Sequence, residues 1–431
     1  MTTGSVKAKK DNRLFYGWVV CGVCTLLIFI TMGTASNGLA VFLPYIMREH
    51  GLSNAQGSSL VTLRCTFAFI AMLLISQYYN RIGYRIGTSV AALCCCAAYV
   101  IYSFADTYFE FCIGASMAGI SYGLGSMIPA SILMNRWFIK HRALAIGIVA
   151  SGSGIAVIVL PPVLTDIILR TSLRAAFLCT AAYVLAAAIT VFLLIREKPQ
   201  DKGLEPLGQA EIFEQYRVKN ATGQDAQSSA PDAADHTTTA LSHQGWILMG
   251  VVCVIMGALS NPGFVHLSVL YTSEGFKPMT VALLISICGI VLTGGKVICG
   301  EAADLLGGLR MSLLFCGILF AGNAFCCLAS TGIVPLAVIA VVLYGLGSPV
   351  CTVGIPIWAG DLSSPEKYPN TVRNLQLIYA AGAMVFATMP GIIADHLGSY
   401  VPVYALFACM LVAATICLVT AYAQSQRQKR K

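Results

Sequence analysis

The feature that most constrains this chain is the length of its uncharged stretches. Residues 311–360 form a run of 50 without one Asp, Glu, Lys or Arg, and residues 14–47 form another of 34. A transmembrane helix needs about 20 mainly apolar residues. The longer run therefore holds two such helices, with a reversal at 330–332 where turn-forming residues cluster. Only 11% of the 431 residues are charged, against roughly 25% in a soluble domain, which excludes a water-soluble globule.

Apolar segments of this kind recur along the whole chain. Lipid offers no hydrogen-bond partners, so segments this long and continuous cross it as α-helices and not as barrel strands. The first is too long to be the apolar core of a cleaved signal peptide. The sequence predicts an all-α membrane protein with twelve transmembrane spans, at 15–46, 57–79, 87–105, 109–135, 142–168, 174–195, 245–272, 279–302, 311–330, 333–359, 371–394 and 399–423.

Lys and Arg are spread unevenly over the predicted loops. With a cytoplasmic amino terminus, 21 of the 27 lie on the cytoplasmic side, 4 lie outside, and Arg64 and Lys296 lie within spans. Cytoplasmic loops retain positive charge, so both termini are predicted in the cytoplasm, with the chain in the cell membrane. The net charge of +8 is then a topology signal, and no nucleic-acid partner is predicted.

The spans divide into two groups of six around a polar segment. We predict a cytoplasmic amino terminus (1–14), an N-terminal half (15–195), a cytoplasmic linker (196–244), a C-terminal half (245–423) and a basic cytoplasmic tail (424–431). Within the linker, residues 220–242 carry almost no large apolar side chains. That part is expected to be disordered.

The two halves share sequence matches in the same order. The pentapeptide YGLGS occupies both 122–126 and 344–348, an offset of 222. Small-residue motifs recur in many membrane proteins because they let helices approach closely. The matches here also include other residue types and keep their order, which favours a duplicated six-helix unit of the kind found in transporters. Further pairs are Asn37 with Asn261, the loop 80–83 with 304–307, and Arg142 with Arg373.

This organisation resembles the major facilitator superfamily. Tyr16-Gly17-Trp18, the segment 135–147 (NRWFIKHRALAIG) and the pair Pro161-Pro162 resemble, within it, the oxalate/formate antiporters and the related monocarboxylate transporters. The resemblance implies two pseudo-symmetric halves around a central cavity and transport by alternating access. It also implies exchange or symport, with a counter-transported anion or protons as the coupling partner.

The same resemblance implies a substrate anchor. In that branch a basic residue eight positions before the Asp of the loop after span eight binds the substrate carboxylate. Counting back from Asp304 gives Lys296. Monocarboxylate transporters also carry an Asp four residues before the basic residue, where this chain has Leu292. Oxalate exchange uses a second basic residue in span eleven, and residues 374–394 contain none.

Physical chemistry singles out Lys296 and Arg64 without the family. A cation deep in hydrocarbon costs at least about 2.5 kcal/mol, so it should face protein or water. No Asp or Glu is predicted at mid-membrane, so the expected partner is an anion from solution. The sequence therefore predicts a small organic anion, a mono- or dicarboxylate, as substrate. Alternatively, Lys296 extends to the cytoplasmic interface, and Arg64 caps helix carbonyls or reaches the outer headgroups.

Seven further side chains are candidates for the same site. His266 would carry a coupling proton, because imidazole titrates near pH 6.5, or would be satisfied by a neighbouring hydroxyl. Asn37 and Asn261 would line the cavity or bond between helices. Aromatic side chains that would wall a carboxylate and donate hydrogen bonds to it, or anchor helices at the membrane interface, are Tyr122, Tyr344, Tyr379 and Trp358.

The short loops after spans two and eight are predicted to latch the cytoplasmic ends in the outward-facing state. Their candidate residues are Asn80, Arg81, Gly83, Arg85, Asp304, Gly307 and Arg310. No catalytic group, metal or cofactor site is predicted, because neither a phosphate-binding loop nor a metal-ligand cluster is visible. The chain is expected to be a monomeric transporter and not an enzyme. The main alternative is efflux of amphipathic drugs or metabolites; a sensor or an intramembrane enzyme is less favoured.

Overall fold

The computed structural model describes residues 15–52, 54–209, 242–387 and 389–429. Regular structure in these ranges is helical, and twelve helices are long and apolar enough to cross a membrane. The predicted fold class is thus confirmed. The amino terminus, most of the segment expected to be disordered and the last two residues of the tail lie outside the described ranges.

The spans are numbered 1 to 12 in chain order. Span 1 is α-helical over Tyr16–Ile28, π-helical over Phe29–Gly38 and α-helical again over Leu39–Glu49. Spans 4, 10 and 11 are each built from two helices. The other bounds are Asn54–Ile82, Tyr84–Phe104, Tyr108–Leu124 with Met127–Trp137, Arg142–Arg170, Leu173–Leu194, His243–Ser273, Pro278–Leu306, Gly308–Cys326, Val334–Gly347 with Val350–Leu362, Tyr368–Val385 with Met389–Leu397, and Val401–Lys429.

Twelve crossings bring both ends of the chain to one side of the bundle. Tyr16 at the start of span 1 bonds the carbonyl of Leu194 at the end of span 6, and Ser242 before span 7 bonds Gln424 in span 12. This side is called the termini side below, and the opposite side the far side. The described start of the linker is held here too, since Leu207 exchanges backbone hydrogen bonds with Trp137, Ile139 and Lys140.

The repeated pentapeptide has the same structural role in both halves. It falls where span 4 breaks after Leu124 and where span 10 breaks after Gly347. A methyl group on Gly123 would collide with the carbonyl of Ala68 in span 2. The corresponding Gly345 packs in the same way against the carbonyl of Cys288 in span 8. Glycine is needed at both positions because the helices touch through their backbones.

Apolar side chains cover the outside of the bundle as well as its interior. Leu73 and Ile189 are about half exposed, while Trp137 and Trp358 are fully buried. A soluble surface would not leave so many large apolar side chains in water, whereas lipid accepts them at no cost. The distribution therefore marks a protein whose outer surface faces the membrane.

The two halves meet along spans 5 and 8 and along spans 2 and 11. Spans 5 and 8 pack backbone against backbone. A methyl group on Gly147 would collide with the carbonyl of Lys296, and one on Gly300 with the carbonyl of Ala143. This close approach places the middle of span 8, with Lys296, directly against the other half.

Candidate functional site

Lys296 lies at the interface between the halves. Its side chain is only 7% exposed. The ammonium donates to Ser153 Oγ at 2.8 Å and to the Ala150 carbonyl at 3.3 Å, both in span 5. The residue sits ten positions, or about 15 Å, before the end of its helix at Leu306. The lysine therefore points into the other half of the protein and does not extend to the membrane interface.

The charge on Lys296 has neutral partners only. Within the described ranges no carboxylate lies within ion-pairing distance of its ammonium. A hydroxyl and a carbonyl satisfy the hydrogen-bonding geometry but leave the positive charge uncompensated. A carboxylate entering the interface would supply the missing negative charge.

Arg64 lies in span 2, and its described contacts are within the N-terminal half. Its guanidinium carbon is 5.6 Å from the centre of the Tyr122 ring in span 4, a cation–π contact. Nη2 is 3.3 Å from Cys65 Sγ, and the buried Nε has no hydrogen-bond partner among the described residues. No described backbone carbonyl is capped by this arginine.

Two of the predicted aromatic residues lie near this interface. Tyr122 is half-buried beneath the Arg64 guanidinium. Tyr379 in span 11 is also half-buried, and its hydroxyl contacts Ser260 Oγ of span 7 at 2.7 Å. The arrangement places a phenol from each half within reach of the space between spans 4 and 11.

The other predicted aromatic residues lie inside the C-terminal half. Tyr344 is 1% exposed and donates to the Leu259 carbonyl at 2.8 Å. Trp358 is fully buried and donates to Ser312 Oγ at 2.7 Å. Both hydrogen-bond groups are engaged within one half, so the structure does not bring these side chains to Lys296.

His266 and the two asparagines also stand apart from Lys296. The His266 Nδ1 is 2.8 Å from the Pro262 carbonyl, and its ring stacks on Tyr400 at 5.9 Å. These contacts hold it within the C-terminal half, near the far-side end of span 12. Asn37 and Asn261 belong to helices of spans 1 and 7, but their side chains lie outside the described part of the structure.

Asp304 makes a polar contact between the halves on the termini side. Its carboxylate accepts from the backbone N–H groups of Ala143, at 3.0 Å, and Leu144, at 2.7 Å. Both N–H groups belong to the first turn of span 5 and have no carbonyl partner within that helix. The helix dipole also favours a negative charge at this end. The predicted latch residue thus clamps the amino end of a helix in the opposite half.

Two arginines related by the repeat reach across the same side. Arg142 in span 5 lies 3.6 Å from Asp361 at the end of span 10 and donates to Asn135. Arg373 in span 11 donates to Ser76 Oγ in span 2 at 3.0 Å. Among the described residues, the polar contacts between the halves lie in the part of the spans between mid-membrane and the termini side.

The remaining latch candidates shape or border the loops. Gly83 and Gly307 have φ values of 81° and 84° at equivalent turns. Residues other than glycine rarely adopt this backbone conformation. Arg85 stays within its half, donating to the Phe192 carbonyl at 2.9 Å and stacking on the Phe192 ring. Asn80, Arg81 and Arg310 are exposed beside these turns.

Sequence reasoning did not single out the partners of these charges. Ser153, Ala150, Ser76 and Asp361 carry no pattern of their own, because short polar residues are common in membrane helices. A signal did exist for Arg142 and Arg373. Charged residues at matching repeat positions beside a span are unusual, and both take part in the contacts between halves.

The geometry describes a multi-pass membrane protein whose two related halves enclose a buried charged interface, the design of a transporter. The model of the Major Facilitator Superfamily matches residues 24–372, and the chain belongs to that family. It is a transporter and not an enzyme.

Individual relatives are distant. The rat protein "Monocarboxylate transporter 12" is 22% identical over 422 residues, covering 94% of this chain and 85% of the relative. The "Fujikurins efflux protein" of Gibberella fujikuroi is 23% identical, covering 65% of this chain and 56% of the relative. A solved proton:xylose symporter of the superfamily superposes with a TM-score of 0.64 at 17% identity, covering 93% of this chain and 94% of that one. The predicted resemblance to the superfamily and to monocarboxylate transporters is confirmed.

Proposed function

We propose that this transporter moves a small organic anion, a mono- or dicarboxylate, with Lys296 as the anchor for the carboxylate. The observation that carries the proposal is the buried ammonium between the halves, whose partners among the described residues are neutral acceptors. An ionisable side chain kept at this depth usually marks a substrate pathway. The similarity to monocarboxylate transporters supports the same class of substrate.

The contacts of Lys296 suggest how binding is coupled to movement. The lysine of span 8 is tied to Ser153 and Ala150 of span 5. A carboxylate is a stronger acceptor for an ammonium than a hydroxyl or a carbonyl. Binding would therefore replace the bonds to span 5 and remove one link between the halves. Tyr122 and Tyr379, one from each half, would line the path of the anion toward Lys296.

The gate contacts fit alternating access from an outward-facing state. We place the termini side in the cytoplasm of a cell membrane, as the distribution of Lys and Arg predicts. The bridges made by Asp304, Arg142 and Arg373 then close the cytoplasmic side. Rocking of the halves would break them and open the site inward. Exchange against a second anion and symport with protons both fit this scheme, and a monomer suffices for it.

The test is uptake by purified protein in proteoliposomes, either empty or preloaded with anion. The probes are formate, lactate, pyruvate, oxalate and succinate, with an uncharged sugar for comparison. We expect uptake of at least one carboxylate, reduced about 100-fold or more in Lys296→Gln, since an interaction with a charged group is lost. Dependence on preloading would indicate exchange, and dependence on a pH gradient would indicate proton symport.

Lys277→Gln is the matched control. Lys277 is an exposed lysine just before the same helix, so its replacement removes equal charge without touching the interface. Uptake should stay within about twofold of the original protein. Wild-type carboxylate uptake by Lys296→Gln would refute the proposal.

The second candidate function is efflux of amphipathic compounds. The relative named as a fujikurins efflux protein favours it. This function needs a large apolar cavity but no buried ammonium. Export of a hydrophobic dye that persists in Lys296→Gln, together with no carboxylate flux, would favour efflux over anion transport.

A further inference from the structure

Two buried polar atoms of the N-terminal half, Arg64 Nε and the Tyr102 hydroxyl oxygen, have no hydrogen-bond partner among the residues that the structure describes. We propose that Arg64, Tyr102 and Tyr122 form an additional anion site, the outer site, which a carboxylate occupies on its way between the far side and Lys296. The inference rests on the proposed transport of organic anions. It assigns a separate binding site to the N-terminal half alone.

The outer site is defined by two unpaired donors. Arg64 Nε in span 2 and the Tyr102 hydroxyl in span 3 are both buried, and neither has a hydrogen-bond partner among the described residues. Tyr102 is only 2% exposed. Buried donors are nearly always paired in folded proteins, so two that lie close enough to interact electrostatically indicate a missing acceptor. A carboxylate brings two acceptor oxygens and a negative charge that balances the positive charge of the guanidinium.

The neighbouring phenols do not fill this role. The Tyr99 hydroxyl donates to the Thr34 carbonyl at 2.8 Å, so its proton is already used. Tyr122 offers Arg64 the face of its ring, 5.6 Å from the guanidinium carbon. That contact orients the arginine, and its Nε–H remains without a partner among the described residues. The donors of the outer site are thus supplied by Arg64 and Tyr102.

The outer site lies at a different depth from Lys296. Spans 2 and 8 both run from the far side to the termini side. Arg64 is ten residues, or about 15 Å, from the start of its helix at Asn54. Lys296 is eighteen residues, or about 27 Å, from the start of its helix at Pro278. An anion that enters from the far side would meet Arg64 about 12 Å before it meets Lys296.

The outer site is a property of one half only. In the sequence repeat Arg64 aligns with Cys288, which is fully buried. A structural arginine needed to build the six-helix unit would be expected in both copies. Its presence in one copy, with its Nε unpaired, points to a binding role.

The experiment measures equilibrium binding of pyruvate and of succinate to the full chain in lipid nanodiscs. The Lys296→Gln variant removes the deeper anchor. In that background we expect about one anion per chain. Adding Arg64→Gln should lower the affinity at least tenfold. Adding Tyr102→Phe should lower it about fivefold, with unchanged thermal stability, because the hydroxyl removed has no partner in the described part of the chain.

Arg170→Gln is the matched control, since Arg170 lies at the far-side end of span 5, exposed and paired with Asp166. It should leave binding in the Lys296→Gln background unchanged. The outer site is refuted if neither anion shows binding that depends on Arg64 and Tyr102. That outcome is separate from failure of the proposed function, which is judged by uptake in Lys296→Gln alone.

Discussion

The two contacts between the halves are equivalent in the repeat but differ in strength. Spans 5 and 8 touch through their backbones at Gly147 and Gly300 and are joined by Lys296 and Asp304. Spans 2 and 11 are joined through Arg373 and Ser76. At the position aligned with Asp304 the first half carries the neutral Asn80, which is exposed. The carboxylate clamp is therefore present on one side of the pseudo-symmetric interface.

This difference makes the two copies of the duplicated unit unequal in charge. The twin loops keep the same glycine turns, with φ values of 81° and 84°, so the scaffold has stayed symmetric. The charged residues have not, since Lys296 and Asp304 belong to span 8 while span 2 carries Arg64. Substitutions along spans 5 and 8 should accordingly have larger effects than those along spans 2 and 11.

Among substitutions that test the packing and gate contacts between the halves, the largest effect is expected from Gly147→Ala. Its methyl group meets a backbone carbonyl of span 8, which cannot rotate away, so the spans must separate. Overpacking of this kind costs on the order of 1–3 kcal/mol, and we expect at least a tenfold loss of uptake with a lower melting temperature. Gly317→Ala in span 9, where a methyl group has open space, should be stabilising or neutral. Equal behaviour of the two variants would contradict the close contact.

A smaller effect is expected from Asp304→Asn. The amide can still accept a hydrogen bond, but the attraction of a full charge to the helix end, worth about 0.3–1 kcal/mol, is lost. The population closed on the termini side should fall by about twofold to fivefold. Distances between spin labels on that side would measure it. Glu301→Gln, an exposed carboxylate in the same helix, is the control, and an identical shift there would argue against a specific clamp.

The reverse substitution, Asn80→Asp, tests whether the weaker side can be strengthened. It restores a carboxylate at the aligned loop position. If the twin loop faces the amino end of span 11 as Asp304 faces span 5, the ratio of closed to open molecules should rise by about twofold, from a few tenths of a kcal/mol. Gln77→Glu adds the same charge one turn earlier and should not do this. A fall in the closed population with Asn80→Asp would show that the gates differ in geometry as well as in charge.

The smallest effect is expected from Ser76→Ala. It removes one hydrogen bond from Arg373, which keeps its contact with Asn374. A partly exposed bond of this kind contributes about 0.5 kcal/mol, so the closed population should change by about twofold or less in the same spin-label measurement. Ser268→Ala removes a bond within one helix and should leave the gate unchanged. A shift larger than that of Asp304→Asn would reverse the ranking of the two contacts.

Much of the architecture could be predicted because the membrane imposes simple rules. Uncharged runs of sufficient length must be helices. The order of repeated motifs such as 122–126 and 344–348 indicated the duplication. Lys296 and Arg64 stood out because charge is costly in hydrocarbon. Asp304 stood out because it aligns with a loop that has the same glycine turn.

The sequence could not decide which face of a helix meets which neighbour. Tyr344 and Trp358 looked like cavity residues, yet their donors bond within the C-terminal half, because aromatic side chains suit both a packed interior and a binding wall. Tyr102 was not recognised, since an unpaired hydroxyl is visible only when its surroundings are known.

By itself the sequence determined that this protein lies in a lipid membrane, how many helices cross it, that the chain is internally duplicated and which two cations lipid cannot accommodate. These follow from composition and spacing along one dimension. The tertiary structure alone decided that Lys296 bonds to span 5, that Asp304 clamps a helix end in the other half and that Arg64 lies over Tyr122. Those contacts depend on the rotation and approach of helices far apart in the chain, which side-chain packing sets and local sequence does not encode.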